Sequence, residues 1–322
     1  MRQRKPSRFV SRFDGRFGSN MDSGANMSQP NTDKRYLVDT AWLQEHLEDA
    51  ELRILDCTVY LPNYFEESAQ EKVEIVPGLQ DYQRSHIPGS VYLDLVGDLT
   101  DKKNKRFMFP MPSADQFAKV MSRLGVGDGT RVILYDRMVN IWAARVWWML
   151  RAFGYDNAAI LDGGWAKWTA EGRPTSSAPS AYPPAKFGTR SQPERIATCE
   201  EVKAAIGHDS TCLVNALDPE EFAGRGPVRY GRPGHIPSSV NVSFLGILNS
   251  ETNVYLPLEH IRAQFASAGV LGKDRIITYC GGGIAACSDA FVLTLLGAEN
   301  VAVYDGSMTE WAADPNLPLE VG

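Results

Sequence analysis

An α/β fold in two copies, each a mostly parallel sheet with helices on both faces, is predicted by three observations. Short β-branched runs alternate with helical patterns along the whole chain. Three blocks of sequence recur in the same order in the two halves. A stretch rich in Pro, Ser and Ala separates those halves.

The repeat fixes the organisation. HIPGSV (His86–Val91) returns as HIPSSV (His235–Val240). RVILYD (Arg131–Asp136) returns as RIITYC (Arg275–Cys280). FGYDNAAILDGGWAKW (Phe153–Trp168) returns as LGAENVAVYDGSMTEW (Leu296–Trp311). The reading is a tail over residues 1–34, a first domain over 35–175, a linker over 176–195 and a second domain over 196–322. In the first domain, Arg53–Leu55, Val132–Tyr135 and Ala159–Leu161 carry strand composition. In the second, Cys212–Val214, Ile276–Tyr279 and Val301–Tyr304 do. Helical patterns over Thr198–Ile206, His260–Ala268 and Ala285–Leu296 lie between them. Sites in such sheets form at the carboxyl ends of strands, and Cys280 stands at one.

Composition excludes several classes. A net charge of −6 leaves no broad basic face for nucleic acid, so the seven Trp and twelve Tyr are assigned to core packing. No run approaches the roughly 20 apolar residues of a membrane span. The apolar segment around Trp147 and Trp148 is broken by Arg145 and Arg151. Five cysteines without a CxxC signal neither a disulfide framework nor a zinc site. The scattered histidines show no metal-ligand spacing, and no cofactor is expected. A reducing compartment follows, the cytoplasm being the first reading. The tail holds Arg2, Arg4, Lys5, Arg8, Arg12 and Arg16 against Asp14, which keeps a mitochondrial targeting segment as the alternative.

The segment YCGGGIAA carries the chemistry. Gly281, Gly282 and Gly283 permit backbone angles that turn successive N–H groups inward. With Ile284, Ala285 and Ala286 they lead into a helix N-terminus, and such a nest holds anions. A thiol at its centre favours the thiolate. The first copy is an internal control. Asp136 replaces Cys280 there, and RMVNIW replaces the glycines. One corner is equipped for thiol chemistry and the other is not. His86 and His235 occur in both copies, as do Asp162 and Asp305; they read as turn-forming residues. Cys287 reads as facing the helix interior.

At these residues the chain resembles the tandem-domain rhodanese family, the thiosulfate and 3-mercaptopyruvate sulfurtransferases. The similarity runs from about Tyr36 through the HIP segments, RVWWMLRAFG (Arg145–Gly154), LDGGW, YDGSMTEW and YCGGGIAA. It implies two rhodanese-like domains, the first inactive and the second catalytic. It implies that Cys280 takes a sulfane sulfur from a small donor and passes it, as a persulfide, to cyanide or a thiol. The amides of Gly281 to Ala286 then hold the terminal sulfur. Members preferring thiosulfate carry basic residues after the cysteine; Gly281 and Gly282 point instead to 3-mercaptopyruvate. Members of that second group usually carry Ser where Gly282 stands, Arg where Glu221 stands, and a His before an MxP-like segment, where this chain has Arg106 to Phe109. Arg229 and Arg232, ahead of His235, are the remaining candidates to bind substrate. A non-catalytic persulfide carrier is the alternative function. A cysteine phosphatase is disfavoured, because Ala285 and Ala286 stand where an Arg would grip phosphate.

Overall fold

The computed structural model describes residues 34–62 and 74–322; the basic tail, for which a targeting segment is the alternative reading, lies outside the described residues up to Lys34. The first half contains β1 (Leu37–Val38), β2 (Leu52–Asp56), β3 (Val59–Tyr60), β4 (Val76–Pro77), β5 (Val91–Tyr92), β6 (Arg131–Tyr135) and β7 (Ala158–Leu161). The second contains β8 (Ile196–Ala197), β9 (Thr211–Asn215), β10 (Val240–Asn241), β11 (Arg275–Tyr279) and β12 (Val301–Tyr304). One sheet has the order β1-β7-β6-β2-β5 and the other the matching order β8-β12-β11-β9-β10. All pairings within both sheets are parallel. β3 and β4 form a separate antiparallel pair.

The central strands are apolar because both of their faces are covered. In β6 and β11 every residue after the leading arginine is buried. Equivalent tyrosines end both: the Tyr135 hydroxyl lies 3.0 Å from Ser90 Oγ, and the Tyr279 hydroxyl 2.8 Å from Ser239 Oγ. The duplicated HIP turns are equally matched. His86 Nδ1 lies 2.7 Å from the Tyr82 carbonyl and its ring stacks on Tyr82. His235 Nδ1 lies 2.8 Å from the Phe222 carbonyl and its ring stacks on Phe222. Both histidines are buried turn anchors.

The stretch 176–195 is pinned to the first sheet's domain rather than free. His86 N donates to the Ser176 carbonyl, the Tyr182 hydroxyl to the Gly89 carbonyl, and Arg190 N to the Phe153 carbonyl.

Two helices join the halves. Ile141–Ala152 follows β6 and is buried at all twelve positions. Ala286–Leu295 follows β11 and packs against it, with Trp147 and Phe291 in edge-to-face contact at 4.8 Å. A helix buried all round carries apolar residues on every face, which explains the apolar segment around Trp147 that only Arg145 and Arg151 interrupt. It also means that Arg145, fully buried, lies inside the interface and needs partners there.

Candidate active site

Cys280 begins the loop after β11 and is only 2% exposed. Its own N–H donates to Ser307 Oγ at 3.1 Å, and its carbonyl accepts from Met308 N at 3.0 Å. The Gly281 carbonyl accepts from Thr309 N at 2.9 Å. The loop is therefore laced to the turn after β12. Ser307 sits there with φ 49°, a left-handed conformation that its first-domain counterpart reaches as Gly164 at φ 52°. Its hydroxyl also donates to the Tyr304 carbonyl. Sequence inspection passed over Ser307; the pairing of DGG with DGS in the repeat is the signal that marks it.

Gly283 is the glycine this loop requires. It has φ 76°, and a Cβ there would stand 2.7 Å from the Asp305 carbonyl oxygen. Gly281 lies so close to Tyr230 that a Cβ would stand 2.0 Å from its hydroxyl. Gly282 has room for a side chain, a built Cβ meeting Met108 Cβ at 3.5 Å and Phe109 Cδ2 at 3.8 Å. Among the described residues, none of the amides from Gly281 to Ala286 donates to another protein group.

The loop after β6 shows what such amides do. The Asp136 carboxylate accepts from Met138 N at 2.8 Å, Asn140 N at 3.1 Å, Trp142 N at 2.9 Å and Ala143 N at 3.0 Å. Burial raises the Asp136 pKa, and the four amides oppose that rise by bonding to the ionised form. The first domain thus encloses an anion of its own at the end of its central strand.

Cys280 opens onto a cavity of about 80 Å³ between the domains. Gly281, Gly282, Ile284 and Ala285 form its floor. Met138, Val139 and Ile141, from the Asp136 loop, line it from the first domain together with Leu61, Met108 and Phe109. Leu217, Tyr230, Phe244 and Leu245 complete it.

Arg145 fixes the two sides relative to each other. It donates to the Gly283 carbonyl at 3.2 Å and the Phe109 carbonyl at 2.8 Å, and pairs with Asp305 at 2.6 Å. Burial opposes its charge, but the Asp305 carboxylate lifts its pKa above the ordinary value. The other Asp305 oxygen accepts from Met111 N of the first domain at 2.9 Å. Asp162 mirrors this by accepting from Tyr255 N of the second domain at 2.9 Å. The duplicated aspartates, read from sequence as turn residues, are interdomain clasps. They recur because the interface is itself nearly two-fold.

The structure does not bring Arg229 or Arg232 to the cavity. Arg229 Nε donates to Glu221 Oε1 at 3.1 Å, in an ion pair whose side chains are only 5% and 12% exposed. Arg232 donates to the carbonyls of Trp311, Ala312, Asp314 and Leu317, tying down the C-terminal segment. Proximity to the HIP turn in sequence is overridden by these nearer acceptors. Cys287 donates to the Gly283 carbonyl, and burial pushes its thiol up to about 12, with Arg145 pulling the other way. It is a structural thiol. All five cysteines are free. No helix among the described residues is long and apolar enough to cross a membrane.

Comparison with known proteins adds to this geometry. The rhodanese-like domain model matches residues 39–171 and again 198–314. Thiosulfate/3-mercaptopyruvate sulfurtransferase 2 of Arabidopsis thaliana is 34% identical over 324 residues, covering 94% of this chain and 91% of that protein. The 3-mercaptopyruvate sulfurtransferase of Homo sapiens is 34% identical over 285 residues, covering 86% and 92%. Among solved structures, SseA of Escherichia coli, described as a 3-mercaptopyruvate sulfotransferase, superposes with a TM-score of 0.74 at 29% identity, covering 84% of this chain and 98% of that one.

Proposed function

The chain belongs to the rhodanese-like family and is a sulfurtransferase, and from that premise we propose that Cys280 is its nucleophile and that the amides of Gly281 to Ala286 are its anion cradle. One observation carries this reading. Cys280 occupies the strand end where the twin loop gathers four amides around Asp136, yet none of its own loop's amides donates to a described group, and Gly281, Gly282, Ile284 and Ala285 line a cavity.

The cycle has two steps. The Cys280 thiolate attacks the outer sulfur of the donor, and the donor's bond to that sulfur breaks with its electron pair leaving on the donor. The enzyme then holds Cys280–S–S⁻, whose terminal charge faces the loop amides. A nucleophile attacks that terminal sulfur, and the pair of the sulfur–sulfur bond returns to Cys280. The small donors named for the relatives, 3-mercaptopyruvate and thiosulfate, suit the first step. Between them, 3-mercaptopyruvate fits better, because its single carboxylate asks less counter-charge than a dianion of a cavity whose described lining holds no Lys or Arg. Arg229 and Arg232 are bonded to Glu221 and to C-terminal carbonyls and are not among the residues lining this cavity. A phosphatase is disfavoured for the same lack of a cavity arginine. Free thiols suit a reducing compartment, cytoplasmic or mitochondrial; one Arabidopsis thaliana relative carries a mitochondrial designation in its name.

The test is steady-state thiocyanate formation from each donor with cyanide, in wild type and Cys280→Ser. A loss of about a thousandfold or more is expected in the variant, as for other removed nucleophiles. Full activity in Cys280→Ser would falsify the assignment. A wild type that binds one sulfur but does not turn over is a carrier instead.

A further inference from the structure

We propose that the sulfur acceptor for Cys280 is an uncharged thiol carrying an aliphatic or aromatic group, bound against the wall that the first domain supplies. This rests on the persulfide reading above and names the class of its second substrate.

The cavity has two unlike parts. Its floor is the Cys280 loop, where backbone N–H groups are available. Its wall is Met108, Phe109, Met138 and Val139 of the first domain, continued by Phe244 and Leu245 of the second, a surface of thioether, aromatic and branched side chains. Among the described residues, no charged side chain lines it. The basic residue nearest in sequence to Tyr230 is neutralised: Arg229 is held in a buried ion pair by Glu221. The wall is also held in place. Phe109 has φ 52°, a left-handed conformation costly for a bulky residue, and Arg145 fixes its carbonyl. The Phe109 ring meets Trp142 edge to face at 5.5 Å. Met138 is fixed by its N–H to Asp136 and its carbonyl to Asn253 Nδ2.

Once Cys280 carries its persulfide, the floor already holds one negative charge. A second anion would meet that charge at short range in a low-dielectric cavity whose described lining residues carry no cation, Arg145 behind the loop being already paired with Asp305. With the loop amides already facing the persulfide, an acceptor's carboxylate would lose its water for no new partner. A neutral thiol avoids both costs and gains from each carbon it buries against the wall. The step balances without an external oxidant or reductant. The acceptor sulfur bonds to the terminal sulfur of Cys280–S–S⁻ as the sulfur–sulfur bond to Cys280 breaks. The thiol proton passes to the Cys280 sulfur. The products are the acceptor's persulfide anion and the Cys280 thiol.

The experiment loads Cys280 with sulfur from sodium polysulfide and follows its discharge. The probes are ethanethiol, butanethiol and hexanethiol, their ω-carboxylated counterparts, and cyanide. In wild type, kcat/KM is expected to rise about fourfold per methylene until the cavity is filled. Each carboxylated thiol should be roughly tenfold or more poorer than its neutral partner. Met138→Lys, which sets a cation in the wall, should reverse that preference, with thermal melting checking the fold. Discharge by cyanide together with thiol rates that do not depend on chain length overturns the acceptor class and leaves the persulfide reading standing. Equal rates for neutral and carboxylated thiols, or an unchanged preference in a folded Met138→Lys, do the same. Failure of every acceptor, cyanide included, overturns both.

Discussion

The loops after β6 and β11 occupy the same place in duplicated sheets and end in opposite chemistry. After β6, Asp136 supplies the anion and four amides close on it. After β11, Cys280 supplies a thiol and the amides beside it remain open to a cavity. An anion built into the chain makes a rigid corner; an anion that must arrive makes a site. The first loop is not idle, since Met138, Val139 and Ile141 face Cys280 across the cavity. Having closed its own nest, it serves as the wall of its twin's.

The largest effect expected from breaking this arrangement is at Arg145, which binds both sides. Arg145→Met leaves Asp305 without its cation and the Gly283 and Phe109 carbonyls without their donor. Removing one partner of a buried pair costs about 3–5 kcal/mol. Urea unfolding should show that loss, and donor turnover should fall with it because the loop and the wall lose their common tie. Unchanged stability would mean that the interface does not depend on this pair.

Next comes Asp136→Asn, which tests whether the carboxylate organises the first loop. The amide keeps one oxygen but turns an NH₂ toward backbone donors. Leaving buried N–H groups unpaired costs about 1–3 kcal/mol each. The melting temperature should drop, and the acceptor preference should loosen as Met138 and Val139 lose their anchor. A variant as stable as wild type would show that the four amide bonds are dispensable.

A smaller, pH-dependent effect is expected at the clasp. Burial raises the Asp162 pKa from 3.8 to about 7, against the opposing pull of the Tyr255 amide. The folded state therefore holds a proton that the unfolded state releases. Stability from this group is fully present below about pH 4 and is lost as pH rises through about 7. Its slope is at most about 1.4 kcal/mol per pH unit. In Asp162→Asn that slope should vanish, so the variant's stability should fall less than wild type's between pH 5 and 8. Parallel pH profiles for the two proteins would rule the assignment out.

The sequence displayed one side of the comparison more fully than the other. Cys280 and its glycines are contiguous, so strand, thiol, turn and helix could all be read in one stretch. The repeat itself was legible because the copies keep the same blocks in the same order. What Asp136 does was not, since it depends on a loop conformation that RMVNIW does not advertise. Arg145 looked like an interruption of an apolar run; its partner Asp305 lies far along the chain, and no local pattern joins them. Arg229 and Arg232 stand close to the HIP turn, but Glu221 and four C-terminal carbonyls claim them. The two-residue strands β1, β5, β8 and β10 are too short to show a period of two.

The smallest expected change is the most informative about what the second loop lacks. Gly282 lines the cavity, and a Cβ there meets Met108 at 3.5 Å and Phe109 at 3.8 Å, both ordinary contact distances. Gly282→Ser should therefore shift stability by no more than about 0.5 kcal/mol. It would add a hydroxyl donor to a floor otherwise made of backbone. That donor can bond a carboxylate in the cavity at little cost to a neutral thiol. The expected result is a several-fold gain in kcat/KM for 3-mercaptopyruvate, with discharge to alkanethiols nearly unchanged. The contrast matters because Gly283, the adjacent glycine, should not tolerate Ala, given its φ of 76° and the Asp305 carbonyl at 2.7 Å. If Gly282→Ser left donor kinetics untouched, the backbone alone would be enough to hold the donor. The difference between the two corners would then rest on Cys280 and its open amides, with no part for the side chains that follow them.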